Sequence, residues 1–90
     1  GGLKVYPSEV ESALLEVEGV ADVLVSGHPN AVTGEIVRAR IKPAPGTDSR
    51  RLKHDVRRHC AAKLEDYKVP AIVDFSTDDL HSKRFKKARA

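Results

Sequence analysis

Val10, Ala13, Leu14 and Val17 recur at i, i+3, i+4 and i+7, the spacing that gathers side chains on one helical face. Pro7 opens that helix, because its fixed φ suits a first turn and its missing N–H is not needed there. Glu9 and Glu11 follow, where carboxylates favour the positive helix end, and Gly19 supplies a stop. Val20 to Ser26 is nearly continuous in apolar residues and predicts a strand covered on both faces. Gly27-His28-Pro29-Asn30 reads as a break and Thr33-Gly34 as a second turn. From Glu35 to Lys42 the period is two. Val37, Ala39 and Ile41 alternate with Arg38, Arg40 and Lys42, a strand with one wet face that Ile36 begins out of phase.

Pro43-Ala44-Pro45-Gly46 ends that strand, and Thr47 or Asp48 is placed to cap a second helix. Leu52, Val56, Cys60 and Leu64 form its apolar stripe, with Arg50, Arg51, Lys53, Arg57 and Arg58 largely off it; the helix is expected to run to near Tyr67. Pro70 begins a last apolar run, Ala71-Ile72-Val73, closed by Phe75. Gly1 to Tyr6 reads as a short extended or hairpin segment. The predicted fold class is therefore α+β. One domain over residues 1–90 holds a small mixed sheet of about three main strands, packed with two helices.

Composition sharpens this picture. Hydrophobic residues make up 40% of the chain and charged ones 32%, the balance of a soluble globular domain. With two Phe, two Tyr and no Trp, the core must be aliphatic. The longest apolar runs are far too short to span a bilayer, and no signal peptide is visible. The single cysteine, Cys60, cannot form an internal disulfide; it reads as a small side chain packed on a helix, in a reducing, cytoplasmic setting. The net charge of +3 is uneven. The last ten residues carry Lys83, Arg84, Lys86, Lys87 and Arg89 without an acid, leaving 11 basic against 13 acidic residues elsewhere. Such a tail suits phosphate on a nucleotide or nucleic acid, or simply a solvated end.

Few groups suggest chemistry. His54 and His59 are five apart, not the i, i+4 that would present two metal ligands together, and no metal site is expected. Asp78-Asp79 reads as a solvated turn. Gly1-Gly2 lacks the Gly-Lys-Ser/Thr ending of a phosphate loop, but a glycine pair lets a ligand pass close to bare backbone. A tail lysine could neutralise charge growing on a phosphoryl or acyl-phosphate oxygen.

The run Gly1-Gly2-Leu3-Lys4-Val5-Tyr6-Pro7-Ser8-Glu9-Val10-Glu11 resembles the segment after the hinge of acyl- and aryl-CoA synthetases. That adenylate-forming family also includes luciferases and peptide-synthetase adenylation domains. It carries Gly-Gly-x-Lys/Asn-Val/Ile-x-Pro-x-Glu-Val/Ile-Glu at that point. The likeness continues in order through the strand and turn at 20–30, Gly34-Glu35, Arg38-Ala39, Leu64 with Tyr67-Lys68-Val69-Pro70, Phe75 and Asp79-Leu80. The ending departs. Where the family reads Leu-Pro-Lys-Thr-x-x-Gly-Lys, this chain has Leu80-His81-Ser82-Lys83-Arg84-Phe85-Lys86-Lys87. Without a gap the family's catalytic lysine falls on Lys87; with a four-residue deletion it falls on Lys83.

The resemblance implies the mobile C-terminal lobe of an ATP-dependent carboxylic acid–CoA ligase, inactive without an N-terminal lobe that binds ATP, magnesium and a small carboxylic acid. It implies that Lys83 or Lys87 serves adenylate formation. It further implies that Gly1, Gly2, Leu3 and Lys4, with Tyr67 and Lys68, lie near coenzyme A. No nucleic-acid partner is expected on that reading. The alternative is a standalone α+β module whose basic tail contacts nucleic acid or an acidic partner.

Overall fold

The computed structural model describes residues 4–32, 34–78 and 80. In order it forms α1 (Pro7–Leu15), β1 (Val20–Asn30), β2 (Gly34–Pro43), α2 (Ser49–Lys63), a 3-10 turn (Asp66–Lys68) and β3 (Ile72–Phe75). The sheet order is β1-β2-β3, with β1 antiparallel and β3 parallel to the central β2. The parallel pair requires a crossover, which α2 supplies. The α+β class, the two helices and the mixed three-stranded sheet match the sequence expectation.

One aliphatic cluster joins both α-helices and all three strands: Val10 and Leu14 from α1, Val23 and Val25 from β1, Val37, Ala39 and Ile41 from β2, Leu52, Val56 and Cys60 from α2, and Val73 from β3. The period-two reading of β2 holds, since Val37, Ala39 and Ile41 are buried and their neighbours are half-buried. Cys60 is fully buried, and desolvation pushes its thiol above the ordinary value.

Four boundaries differ from the sequence reading. α1 stops at Leu15 because the N–H groups of Glu16 and Val17 bond three residues back, to Ala13 and Leu14, tightening the last turn. Val17 is nevertheless buried beyond the helix end. Gly19 is the elbow into β1 rather than a helix stop. Its φ is +100°, its carbonyl accepts from the Ala44 N–H at 2.8 Å, and a Cβ there would lie 3.0 Å from Thr47 Cγ2. β1 does not break at Gly27 but pairs residue for residue with β2 out to Asn30 opposite Gly34. β1 is also less covered than expected: Val23 and Val25 are buried, Leu24 is half-buried and Ser26 is exposed.

The persistence of β1 has a backbone cause. It is an edge strand, and the N–H groups of Val23 and Val25 donate to carboxylates of Asp22 (2.8 Å) and Glu11 (2.9 Å). Those donors face away from β2. Pro29 sits in the same phase, where no ladder donor is needed, so proline is tolerated. Glu11 therefore serves the sheet edge rather than the helix end. The fourth difference is at α2, which ends at Lys63, short of Tyr67. Leu64 turns extended (φ −117°, ψ 154°) and packs against the core, while its N–H still bonds the Cys60 carbonyl at 2.8 Å. At the other end Asp48 caps the helix, accepting from the Arg50 N–H at 3.0 Å.

Candidate functional site

The described part of the expected site lies where the start of α1 meets the 3-10 turn after α2. Pro7 starts α1, Tyr6 before it is extended, and the Glu9 N–H closes the first turn on the Tyr6 carbonyl at 3.0 Å. Lys4 and Tyr6 are exposed, whereas Val5 packs partly buried against the core. On the other side, the N–H groups of Lys68 and Val69 bond the carbonyls of Glu65 and Asp66, which makes the tight turn. Pro70 is buried, Val69 packs on the core, and the Ala71 N–H bonds the Val37 carbonyl at 2.9 Å. Both segments are thus docked by apolar residues next to their polar ones.

An ion pair joins them. Lys68 Nζ lies 3.0 Å from Glu9 Oε1 and 3.3 Å from Glu9 Oε2, with Glu65 Oε1 at 3.4 Å. The ammonium also sits 5.5 Å from the centre of the Tyr67 ring. The Lys68 side chain is 13% exposed. The hydrogen bond that Lys68 donates to Glu9, helped by the charges of Glu9, Tyr67 and Glu65, holds its pKa above the ordinary 10.5 against the opposing effect of desolvation.

Two further pairs fix the frame. Arg38 grips Asp74 across β2 and β3, with Nη2 at 2.7 Å and Nε at 2.8 Å from the same Oδ2. Glu16 Oε1, at the end of α1, meets His59 Nε2 at 2.8 Å and Lys63 Nζ at 3.7 Å on α2. His28 and His54 are exposed. Among the described residues no group of three or more His, Cys, Asp or Glu side chains is placed to hold a metal ion. Nor is any described helix long and apolar enough to cross a membrane.

Of the residues singled out in the sequence, Lys4, Tyr67 and Lys68 are described here. Gly1, Gly2 and Leu3, and the tail with Lys83 and Lys87, lie outside the described residues, as does Asp79. Asp78 is exposed. Sequence reasoning missed Glu9 as the partner of Lys68. Glu9 read as a helix-end carboxylate, and a sequence separation of 59 conceals the pairing.

The family described as the AMP-binding enzyme C-terminal domain matches residues 9–87. A 7a-methyl-1,5-dioxo-octahydroindenyl-propanoyl:CoA ligase of Rhodococcus jostii (strain RHA1) is 41% identical over 75 residues, covering 83% of this chain and 14% of that protein. The 3,4-dihydroxybenzoate–aryl-carrier-protein ligase of Bacillus anthracis is 34% identical over 92 residues, covering 98% of this chain and 20% of its own length. Among solved structures, the anthranilate CoA ligase AuaEII in complex with anthranoyl-AMP superimposes with a TM-score of 0.80 at 28% identity. That superposition covers 98% of this chain and 19% of the other. The chain thus spans between about a seventh and a fifth of the length of these relatives.

Proposed function

The chain belongs to the family of AMP-binding enzyme C-terminal domains, and from that premise we propose that residues 1–90 are the small, mobile lobe of a larger ATP-dependent carboxylic acid–CoA ligase. The observation that carries the reading is the family match over residues 9–87, with the same fold in an acyl-adenylate-bound CoA ligase at a TM-score of 0.80. The alternative of a standalone basic-tailed binding module finds no support in these matches.

In this reading a preceding lobe binds the acid and ATP with magnesium. The carboxylate attacks the α-phosphorus, forming an acyl-adenylate and releasing pyrophosphate. The thiol of coenzyme A then attacks the acyl carbon, forming a thioester and releasing AMP. The small lobe acts as a lid with two settings. In one, Lys83 or Lys87 stabilises charge on the phosphoryl oxygens as the adenylate forms. In the other, Gly1, Gly2, Leu3 and Lys4 border the path of coenzyme A on one side and the Tyr67-Lys68 turn borders it on the other. Glycine suits that border because a side chain would narrow the path.

On this reading the acid and nucleotide pockets lie in the preceding lobe, and the 90-residue chain alone is expected to catalyse neither step. Incubation with ATP, coenzyme A and a panel of carboxylic acids, reading pyrophosphate and AMP, tests this. Turnover above a protein-free control that survives repurification overturns the reading.

A further inference from the structure

Lys68 is unusually placed for a lysine at the edge of a ligand path. Its side chain is 13% exposed, whereas its partners Glu9 and Glu65 are 46% and 68% exposed. Three carboxylate oxygens lie within 3.4 Å of its ammonium. A cation held that way is already neutralised and has little to offer a phosphate. What it does hold is geometry. Glu9 belongs to the first turn of α1, three residues after Tyr6, and Lys68 sits beside Tyr67. These segments are also anchored by apolar docking of Val5, Val69 and Pro70 and by the Ala71–Val37 backbone bond.

We infer that Lys68 is a positioning residue: through Glu9 it fixes the spacing between the segment entering α1 and the Tyr67 turn, and so aligns the two borders between which the thiol of coenzyme A reaches the acyl-adenylate. The inference rests on the ligase reading above. It assigns Lys68 to the second half-reaction and gives it a role exerted on protein rather than on the coenzyme. Small errors of alignment are costly in bimolecular attack, where a misplacement of about 1 Å can cost on the order of 100-fold. Here the apolar anchors remain, so loosening the pair is expected to cost about tenfold.

The test uses the full-length ligase containing this chain, with adenylation followed by pyrophosphate exchange and thioester formation followed in single turnovers from preformed acyl-adenylate. Lys68→Met and Glu9→Gln are each expected to slow thioester formation about tenfold more than they slow adenylation. The two together should be no worse than either alone, because one contact is being removed twice. Lys68→Arg should restore most of the rate, and KM for coenzyme A should move alike in the two single variants. If Lys68→Met raises KM for coenzyme A while Glu9→Gln behaves as wild type, the lysine contacts the coenzyme directly and the inference is overturned. Equal losses in both half-reactions reduce the pair to a fold contact and overturn it too, as do variants that match wild type. A wild-type enzyme that carries out neither half-reaction overturns the ligase reading itself, a result distinct from an active enzyme indifferent to Lys68.

Discussion

Glu16 illustrates how single residues tie this small fold together. It caps the C-terminal end of α1, where the helix dipole disfavours a negative charge. The hydrogen bond to His59 and the charge of Lys63 outweigh that, and the carboxyl is held below its ordinary 4.5. A carboxylate whose folded-state pKa is depressed contributes stability above the unfolded value and loses it as pH falls through the folded one. The Glu16 contribution is therefore present above about pH 4.5 and disappears below it. Thermal unfolding of wild type and Glu16→Gln across pH should show a gap in Tm at neutral pH that closes as pH drops below 4.5. A gap independent of pH would mean that the carboxylate charge is not what joins α1 to α2. None of this was legible in the sequence, where Glu16 and His59 are 43 residues apart.

At the scale of elements, α2 carries an electrostatic conflict. Its first turn holds Arg50 and Arg51 and no acid, with Lys53 just beyond, at the positive end of the helix dipole. Asp48 offsets part of this from the cap position, and Arg51 reaches Asp55 at only 3.9 Å. Arg50→Glu reverses a charge at an exposed position, favours the dipole and gains Lys53 as an i, i+3 partner. It should stabilise the domain by about 0.5–1.5 kcal/mol, read as a higher urea midpoint with unchanged slope. An unchanged midpoint would show that solvent screening removes the conflict. Both helices, the inward face of β2 and the order of elements were legible in the sequence, because periodicity and caps are local. What sequence could not reveal depended on pairing across the fold. β1 runs through Gly27 and Pro29 because β2 lies beside it and its odd-numbered N–H groups face outward. α2 ends early because Leu64 is drawn into the core. The same reason hid the Glu9–Lys68 contact: its two motifs were each recognisable, but their meeting is tertiary.

At the scale of the whole molecule, the charge distribution separates two tasks. Within the described body, Lys68 is answered by Glu9 and Glu65 and Arg38 by Asp74. The final ten residues of the sequence hold five cations and no acid, an excess suited to an anionic partner. In the ligase reading that anion is the nucleotide phosphate, and the chemistry needs one lysine aimed where charge develops. Lys83→Ala and Lys87→Ala, made separately in the full-length enzyme, should therefore differ sharply. The variant that removes the catalytic ammonium should lose adenylate formation by roughly 100-fold or more. Its thioester formation from preformed acyl-adenylate should be far less affected, since that step uses the other setting of the lobe. The second variant should stay close to wild type, because a neighbouring cation contributes only a screened, diffuse attraction. Pyrophosphate exchange measures the first step and quenched single turnovers the second. Two silent substitutions would show that this tail, which lacks the family's proline and glycine between Leu80 and the lysine, no longer delivers a cation to the phosphate.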